Sequence, residues 1–275
     1  MARRLTLIAG SGALVPIVAA AARQRGDALQ VLDVVGRRDI AGDSVRQVTL
    51  ADAAGLIEAV KSFRTSHMVL AGAVRLSDAD REGLARAFGL AGKVARSLGD
   101  VGFAGMVLVY CRVIGVKLIG AQEIAPELLA PAGLVAGPPL SAELEGFARK
   151  ALQAARAVGA IDLGQAVVLS GERPIAAEDA AGTDALLERV GVLRGQGLAG
   201  NGVAPLILAK ALKPRQPRFA DLPTIGVRTL RNAAAAGIGV IAVEAGRSLV
   251  LERAELETEA AGLGVSIIGV KLRNG

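Results

Sequence analysis

The sequence predicts an α/β protein built as two domains joined near residue 135. Three observations predict it. Short apolar runs alternate with helical segments of about 10–15 residues, the pattern of βαβ units and a parallel sheet. One stretch, Ala130–Leu140, gathers Pro131, Pro138 and Pro139 with two glycines and reads as a linker. The length, 275 residues, suits two domains of about 100–200 residues each.

The elements follow in order. Leu5–Ala9 is a strand, Gly10-Ser11-Gly12 a turn, and Ala13–Gln24 a helix ended by Gly26. The basic start and the uncharged run Leu5–Ala22 imitate a signal peptide. Gly10, Ser11, Gly12 and Pro16 interrupt that run, and a proline is tolerated in a helix's first turn. Leu29–Val35 and Arg46–Leu50 are further strands, Ala53–Phe63 a helix and Met68–Ala71 a strand. A helix over Asp80–Leu98 comes next, introduced by Ser77. Val101–Val113 fits a buried helix or a buried strand, because an apolar run alone does not separate them. Val116–Gly120 is a strand, and residues 1–134 form an expected Rossmann-like domain with a parallel sheet. The second domain, 140–275, opens with helix Ala142–Val158. Gln165–Ser170 and Pro174–Ala177, split by Gly171-Glu172-Arg173, read as a hairpin, so this domain is mixed α/β. Helix Asp184–Val190, strand Pro205–Ala209, helix Val227–Ala236, strands Ile238–Val243 and Ser248–Leu251, helix Ala254–Leu263 and strand Val265–Val270 complete it.

Composition narrows the chemistry. One Cys and one His exclude an internal disulfide and zinc sites of the Cys/His kind. A metal would need mainly oxygen ligands, which favours Mg, Mn or Ca. Aromatic residues make up 2% of the chain, so the core rests on Ala, Val, Leu and Ile. The same scarcity removes the stacking platforms that bind single-stranded nucleic acid, and no nucleic-acid partner is expected. The net charge of +6 points to an anionic partner such as a phosphate, a nucleotide or a membrane surface. No stretch reads as a membrane span, which predicts a cytoplasmic protein, at most peripheral on the inner membrane. A homo-oligomer is compatible with the sequence.

Four motifs carry chemistry. Gly10-Ser11-Gly12, between a strand and a helix, is shaped to cradle a phosphate. Val15 replaces the third glycine of the dinucleotide fingerprint, while Asp33 stands where a ribose-binding acid would. A nicotinamide enzyme therefore remains an alternative, as does a tight turn without ligand. Arg75 follows a strand end, where open sheets bind ligands. Gly182-Thr183-Asp184 opens a helix, and either Thr183 or Asp184 suits a helix cap. The loop from Lys210 to Gly226 sets Lys210, Lys213, Arg215 and Arg218 around Asp221. Cations with one magnesium-binding acid suit a pyrophosphate, though a basic surface loop has the same composition. His67 at a strand start and Cys111 in an apolar run read as packing residues.

Several blocks together resemble a known family. LeuIleAlaGlySerGlyAlaLeu at 7–14, AlaGlyAlaValArg at 71–75, AspLeuGlyGlnAlaValVal at 162–168, GlyThrAspAlaLeuLeuGluArgVal at 182–190, Lys210, Lys213-Pro214 and AspLeuProThrIleGly at 221–226 are similar to the LpxI-type UDP-2,3-diacylglucosamine pyrophosphatases. The resemblance covers essentially the whole chain, and the GlyThrAsp and AspLeuPro blocks are its specific parts. It implies two α/β domains with the lipid substrate in a cleft between them. It also implies Mg-dependent hydrolysis of a nucleotide-activated acylated sugar in lipid A biosynthesis. It places catalysis on Asp221, Asp184 and Lys210, and magnesium on Asp221 and Asp184. Substrate binding falls to Gly10, Ser11, Gly12, Arg75, Gln165, Thr183 and Lys213. The chain departs from the family pattern at Ala181, Pro217 and Val101, where acids are usual, and at Leu76, where proline is usual. A divergent, non-catalytic UDP-lipid-binding homologue is therefore the second reading.

Overall fold

The computed structural model describes residues 3–40, 44–50, 52–74, 77, 80, 82–84, 100–200, 204–216 and 222–272. Arg75, Asp221 and most of the helix expected over 80–98 lie outside the described residues. The chain divides into two compact units, the first ending at Glu127 and the second beginning at Leu128.

The first unit runs β1 (Arg4–Ala9), α1 (Leu14–Gln24), β2 (Ala28–Asp33), β3 (Val45–Gln47), α2 (Ala53–Ser62), β4 (His67–Ala71), α3 (Asp100–Val113), β5 (Lys117–Ile119) and α4 (Ala121–Ile124), then a 3-10 turn Pro126–Leu128. Its sheet has the order β3-β2-β1-β4-β5, and every pairing is parallel. That is the doubly wound, Rossmann-like order. β1 and β2 are buried from their second residue onward, as strands covered on both faces must be. The ambiguous run from Val101 is helical: Cys111 packs with Ile8, Leu32, Ala59, Val60, Met68 and Leu118. Burial pushes the Cys111 thiol up to about 11, which makes it an inert packing group.

The second unit runs β6 (Gly133–Ala136), α5 (Ala142–Ala160), β7 (Ala166–Ser170), β8 (Arg173–Ala177), α6 (Gly182–Gly195), β9 (Leu206–Lys210), β10 (Thr224–Ile225), α7 (Val227–Ala235), β11 (Ile238–Glu244), β12 (Leu249–Val250), α8 (Arg253–Leu263) and β13 (Ser266–Val270). Its main sheet has the order β6-β13-β11-β9-β7-β8. β13, β11 and β9 are parallel, and β6, β7 and β8 are added antiparallel. Strand alternation divides the core in two. Ala166, Val168, Leu206, Leu208, Ile241 and Val243 face α6, α7 and α8. Val167, Leu169, Ile207, Ala209, Val240 and Ala242 face α5, which meets them with Ala148, Ala151, Leu152 and Ala155. Small alanines let that helix lie close to the sheet, which is how a core with few aromatics is filled. Ser141 caps α5 by accepting from the Leu144 N–H.

The stretch that reads as a linker, 130–140, holds a strand of the second sheet. β6 pairs antiparallel with β13, and the division falls earlier than 134. The glycines serve close backbone approach there. A Cβ on Gly137 would lie 2.0 Å from the Val265 carbonyl oxygen, and one on Gly269 would lie 1.8 Å from that of Pro131. Composition signals a break in regular structure, and here the break is a tightly packed edge strand.

Candidate active site

In the second unit the carboxyl ends of β9 and β11 and the amino end of antiparallel β7 share one sheet edge. Lys210 stands opposite Ala166 on one side and Val243 on the other. Open sheets place their ligand chemistry at such an edge.

Lys210 ends β9 and is only 5% exposed. Its Nζ donates to the Thr224 carbonyl at 3.0 Å. Thr224 belongs to the block that begins at Asp221, so this lysine holds that block by its backbone. Lys213 is 7% exposed, and its Nζ pairs with Asp162 Oδ1 at 2.7 Å. Asp162 has φ 60°, a left-handed conformation that Asp tolerates better than most residues. Gly159 gives Lys213 room, since a Cβ there would lie 3.2 Å from the Lys213 Cα. The lysines that read as an exposed basic loop are thus largely buried, and each is aimed by an acceptor.

Gln165 precedes β7. Its carbonyl accepts from the Ala211 N–H at 3.0 Å, and its own N–H donates to Glu178 Oε2 at 2.7 Å. Thr183, in the first turn of α6, donates its hydroxyl to Glu178 Oε1 at 2.6 Å. Thr183 therefore does not cap the helix; the N-cap is Ala181, which has no side-chain hydrogen bond. Asp184 is half-exposed. It accepts from Asn232 Nδ2 at 3.1 Å and pairs with Arg228 at 3.4 Å, both on α7. At the end of β11, Glu244 is 2% exposed and pairs with Arg156 of α5 and with Arg247.

Gln165, Thr183, Lys210 and Lys213 thus belong to one edge and its flanking turns. Asp184 lies in the same helix start but is turned to α7. Glu178, Asp162, Glu244 and Arg156 are charged partners that the sequence reading did not assign to the site. The signal for Glu178 is weak. It is one of two adjacent acids, Glu178 and Asp179, after a hairpin, and nothing local shows that it is the buried one.

The first unit's turn is braced by backbone. The Gly10 N–H donates to the Ala71 carbonyl, and Ser11 and Ala73 exchange both backbone hydrogen bonds at 2.9 Å. The Ser11 hydroxyl donates to the Ala73 carbonyl at 3.1 Å. Arg37 donates to the Gly10 and Gly12 carbonyls. Two of the N–H groups that a phosphate cradle would use are therefore taken up by neighbouring backbone. Asp33 is buried and accepts from the N–H groups of Val35, Gly36 and Arg37. Both of its oxygens brace its own loop, which gives this acid a structural role and weakens the argument for a nicotinamide enzyme.

Among the described residues there is no group of three or more His, Cys, Asp or Glu side chains that could hold a metal. No described helix is long and apolar enough to cross a membrane.

Fold and site define a two-unit α/β protein that buries paired charges, Lys210, Lys213, Glu178 and Glu244, at one end of its second sheet and in the turns beside it. The chain belongs to the LpxI family: the family model of the LpxI N-terminal domain matches residues 4–128, and that of the C-terminal domain matches 131–268. It is 34% identical to the UDP-2,3-diacylglucosamine pyrophosphatase LpxI of Caulobacter vibrioides, over 98% of each chain. Two solved structures overlap far more loosely. The Bordetella bronchiseptica enzyme WbmG in complex with NAD and UDP is 15% identical at TM-score 0.35, covering 98% of this chain and 73% of its own. L-threonine 3-dehydrogenase of Trypanosoma brucei is 19% identical at TM-score 0.29, and the overlap covers 41% of this chain and 34% of that one. Overlaps at these TM-scores carry no argument about ligands.

Proposed function

We infer that this chain hydrolyses the pyrophosphate bond of UDP-2,3-diacylglucosamine to UMP and 2,3-diacylglucosamine 1-phosphate, a step of lipid A biosynthesis. The observation that carries the reading is the end-to-end match to the Caulobacter pyrophosphatase. The buried cations of the β9 edge support it.

Lys210 and Lys213 would neutralise the pyrophosphate in a site poor in water. Fixed charges there stabilise a transition state more than mobile ones, because no reorganisation is needed. Water attacks the sugar-side phosphorus. The bridging oxygen leaves with UMP, and the water oxygen stays in the lipid phosphate. The proton lost from water goes to a carboxylate, for which we propose Asp221. Thr183 and Gln165, fixed through Glu178, would orient the substrate. Gly10, Ser11, Gly12 and Arg75 are proposed as further substrate-binding residues.

Magnesium takes one or two carboxylates and lets substrate phosphates and water supply the rest. Asp221 and Asp184 are the proposed carboxylates, and Asp184 would share its oxygens with Asn232 and Arg228. When bound, the ion would neutralise pyrophosphate charge. Net charge +6 and an acylated substrate favour a peripheral position on the cytoplasmic face of an anionic inner membrane.

Incubation with UDP-2,3-diacylglucosamine, with and without magnesium, tests the reading. UMP release that depends on magnesium is expected. Retention of the lipid without UMP under both conditions would favour the binding-only homologue.

A further inference from the structure

We propose that Glu178 is a positioning residue for this hydrolysis, one that fixes the start of α6 against the edge carrying Lys210; the proposal rests on the function inferred above. Glu178 follows β8 and is 6% exposed. Each of its carboxylate oxygens has its own donor. Oε2 accepts from the Gln165 N–H at 2.7 Å, and Oε1 accepts from the Thr183 hydroxyl at 2.6 Å. Its backbone N–H donates to the Ala166 carbonyl at 2.9 Å, so the residue is fixed from both ends.

Three segments meet through that carboxylate. One is the turn into β7, whose Gln165 carbonyl also receives the Ala211 N–H, one residue past Lys210. The second is the end of the β7–β8 hairpin. The third is the first turn of α6, with Thr183 and Asp184. The N-cap Ala181 has no capping side chain of its own; Asp179 accepts from the Ala181 N–H, and the Thr183–Glu178 bond is what ties the helix start to the turn into β7. Gly164 is shaped to the same junction. A Cβ there would lie 2.5 Å from the Glu178 carbonyl oxygen and 2.8 Å from its Cβ. A buried carboxylate is costly unless fully hydrogen-bonded, and hydrophobic packing alone would be served by an apolar residue here. What the carboxylate adds is a fixed distance between Thr183 and the Lys210 edge. A displacement of about 1 Å in a catalytic group is enough to cost on the order of 100-fold in rate.

The test compares Glu178→Ala, Glu178→Gln, Thr183→Val and the Glu178→Ala/Thr183→Val double variant with the unaltered protein. UMP release gives kcat and KM, and amide hydrogen exchange is followed at Gln165 and residues 182–184. Glu178→Ala is expected to lower kcat by about 10- to 100-fold with a much smaller change in KM. Glutamine keeps both links, its oxygen accepting from Gln165 and its amide donating to the threonine hydroxyl, so Glu178→Gln restores most of kcat. The double variant is expected to lose less than the product of the two single losses, because the two residues share one bond. Unchanged kcat per folded molecule in Glu178→Ala, or simple additivity in the double variant, overturns the proposal. If the unaltered protein releases no UMP, the inferred activity falls and exchange alone decides. Faster exchange at 182–184 in Glu178→Ala then upholds the junction, and unchanged exchange overturns it.

Discussion

The two sheets present very different carboxyl edges. At the first, Gly10, Ser11, Ala71 and Ala73 lock two loops together by backbone hydrogen bonds. Asp33 is the buried charged residue among those described there, and its oxygens go to its own loop. At the second, Glu178, Lys210, Lys213 and Glu244 are all buried, and each reaches across to a different segment. An edge whose charges, Asp33 and Arg37, are spent on its own loops is a stable platform. An edge of buried charges is costly to desolvate and is kept where fixed charge serves a ligand. On this contrast we propose that the reacting group of the substrate is held by the second unit.

Four experiments would break or sharpen that contrast. Asp221→Ala should give the largest effect, a kcat loss of about 10²–10⁴-fold with substrate still bound; near-normal UMP release would take Asp221 out of the site. Lys210→Met should follow. It keeps the packed stem but removes the donor to Thr224, so kcat/KM should fall strongly and stability by about 1–3 kcal/mol. A variant with unaltered kcat/KM would make Lys210 purely structural. In the first unit the effect should be on folding. Gly10→Ala would put a Cβ 2.6 Å from the Ala73 carbonyl oxygen and 2.8 Å from that of Gly72, costing about 1–3 kcal/mol. Thermal unfolding measures it, and an unchanged Tm would mean that the braced turn yields easily.

The smallest effect concerns His67. Burial, then the nearby Arg3 and Lys117, hold its imidazole below the ordinary value. The unfolded chain therefore binds the proton more readily. The stability this histidine allows is complete above about pH 6.5 and falls as pH drops toward the folded value. His67→Gln should flatten that part of the stability–pH curve. An unaltered slope would show that other groups set it.

Much of this was legible in the sequence for identifiable reasons. β1 and β2 are mostly apolar runs, broken inside by Thr6 and Gln30, which bond each other, and with the helices between them the first domain could be read from them. The hairpin at Gly171 was readable because turn chemistry is local. The strand Gly133–Ala136 was not, since the prolines and glycines around it describe a break and say nothing of a partner more than a hundred residues away in β13. The basic loop was legible as composition, and its burial was not.

By itself the sequence determined which chemistries are open. One His and one Cys leave oxygen ligands and charge stabilisation, and the blocks at 162–168, 182–190 and 221–226 determine the family. Only the tertiary structure decided what each charge does. Lys213 faces Asp162 across fifty-one positions and Lys210 reaches the Thr224 carbonyl. Glu178 joins Gln165 to Thr183. Burial and pairing depend on which distant segments the sheet order brings together, and no local pattern of residues records that.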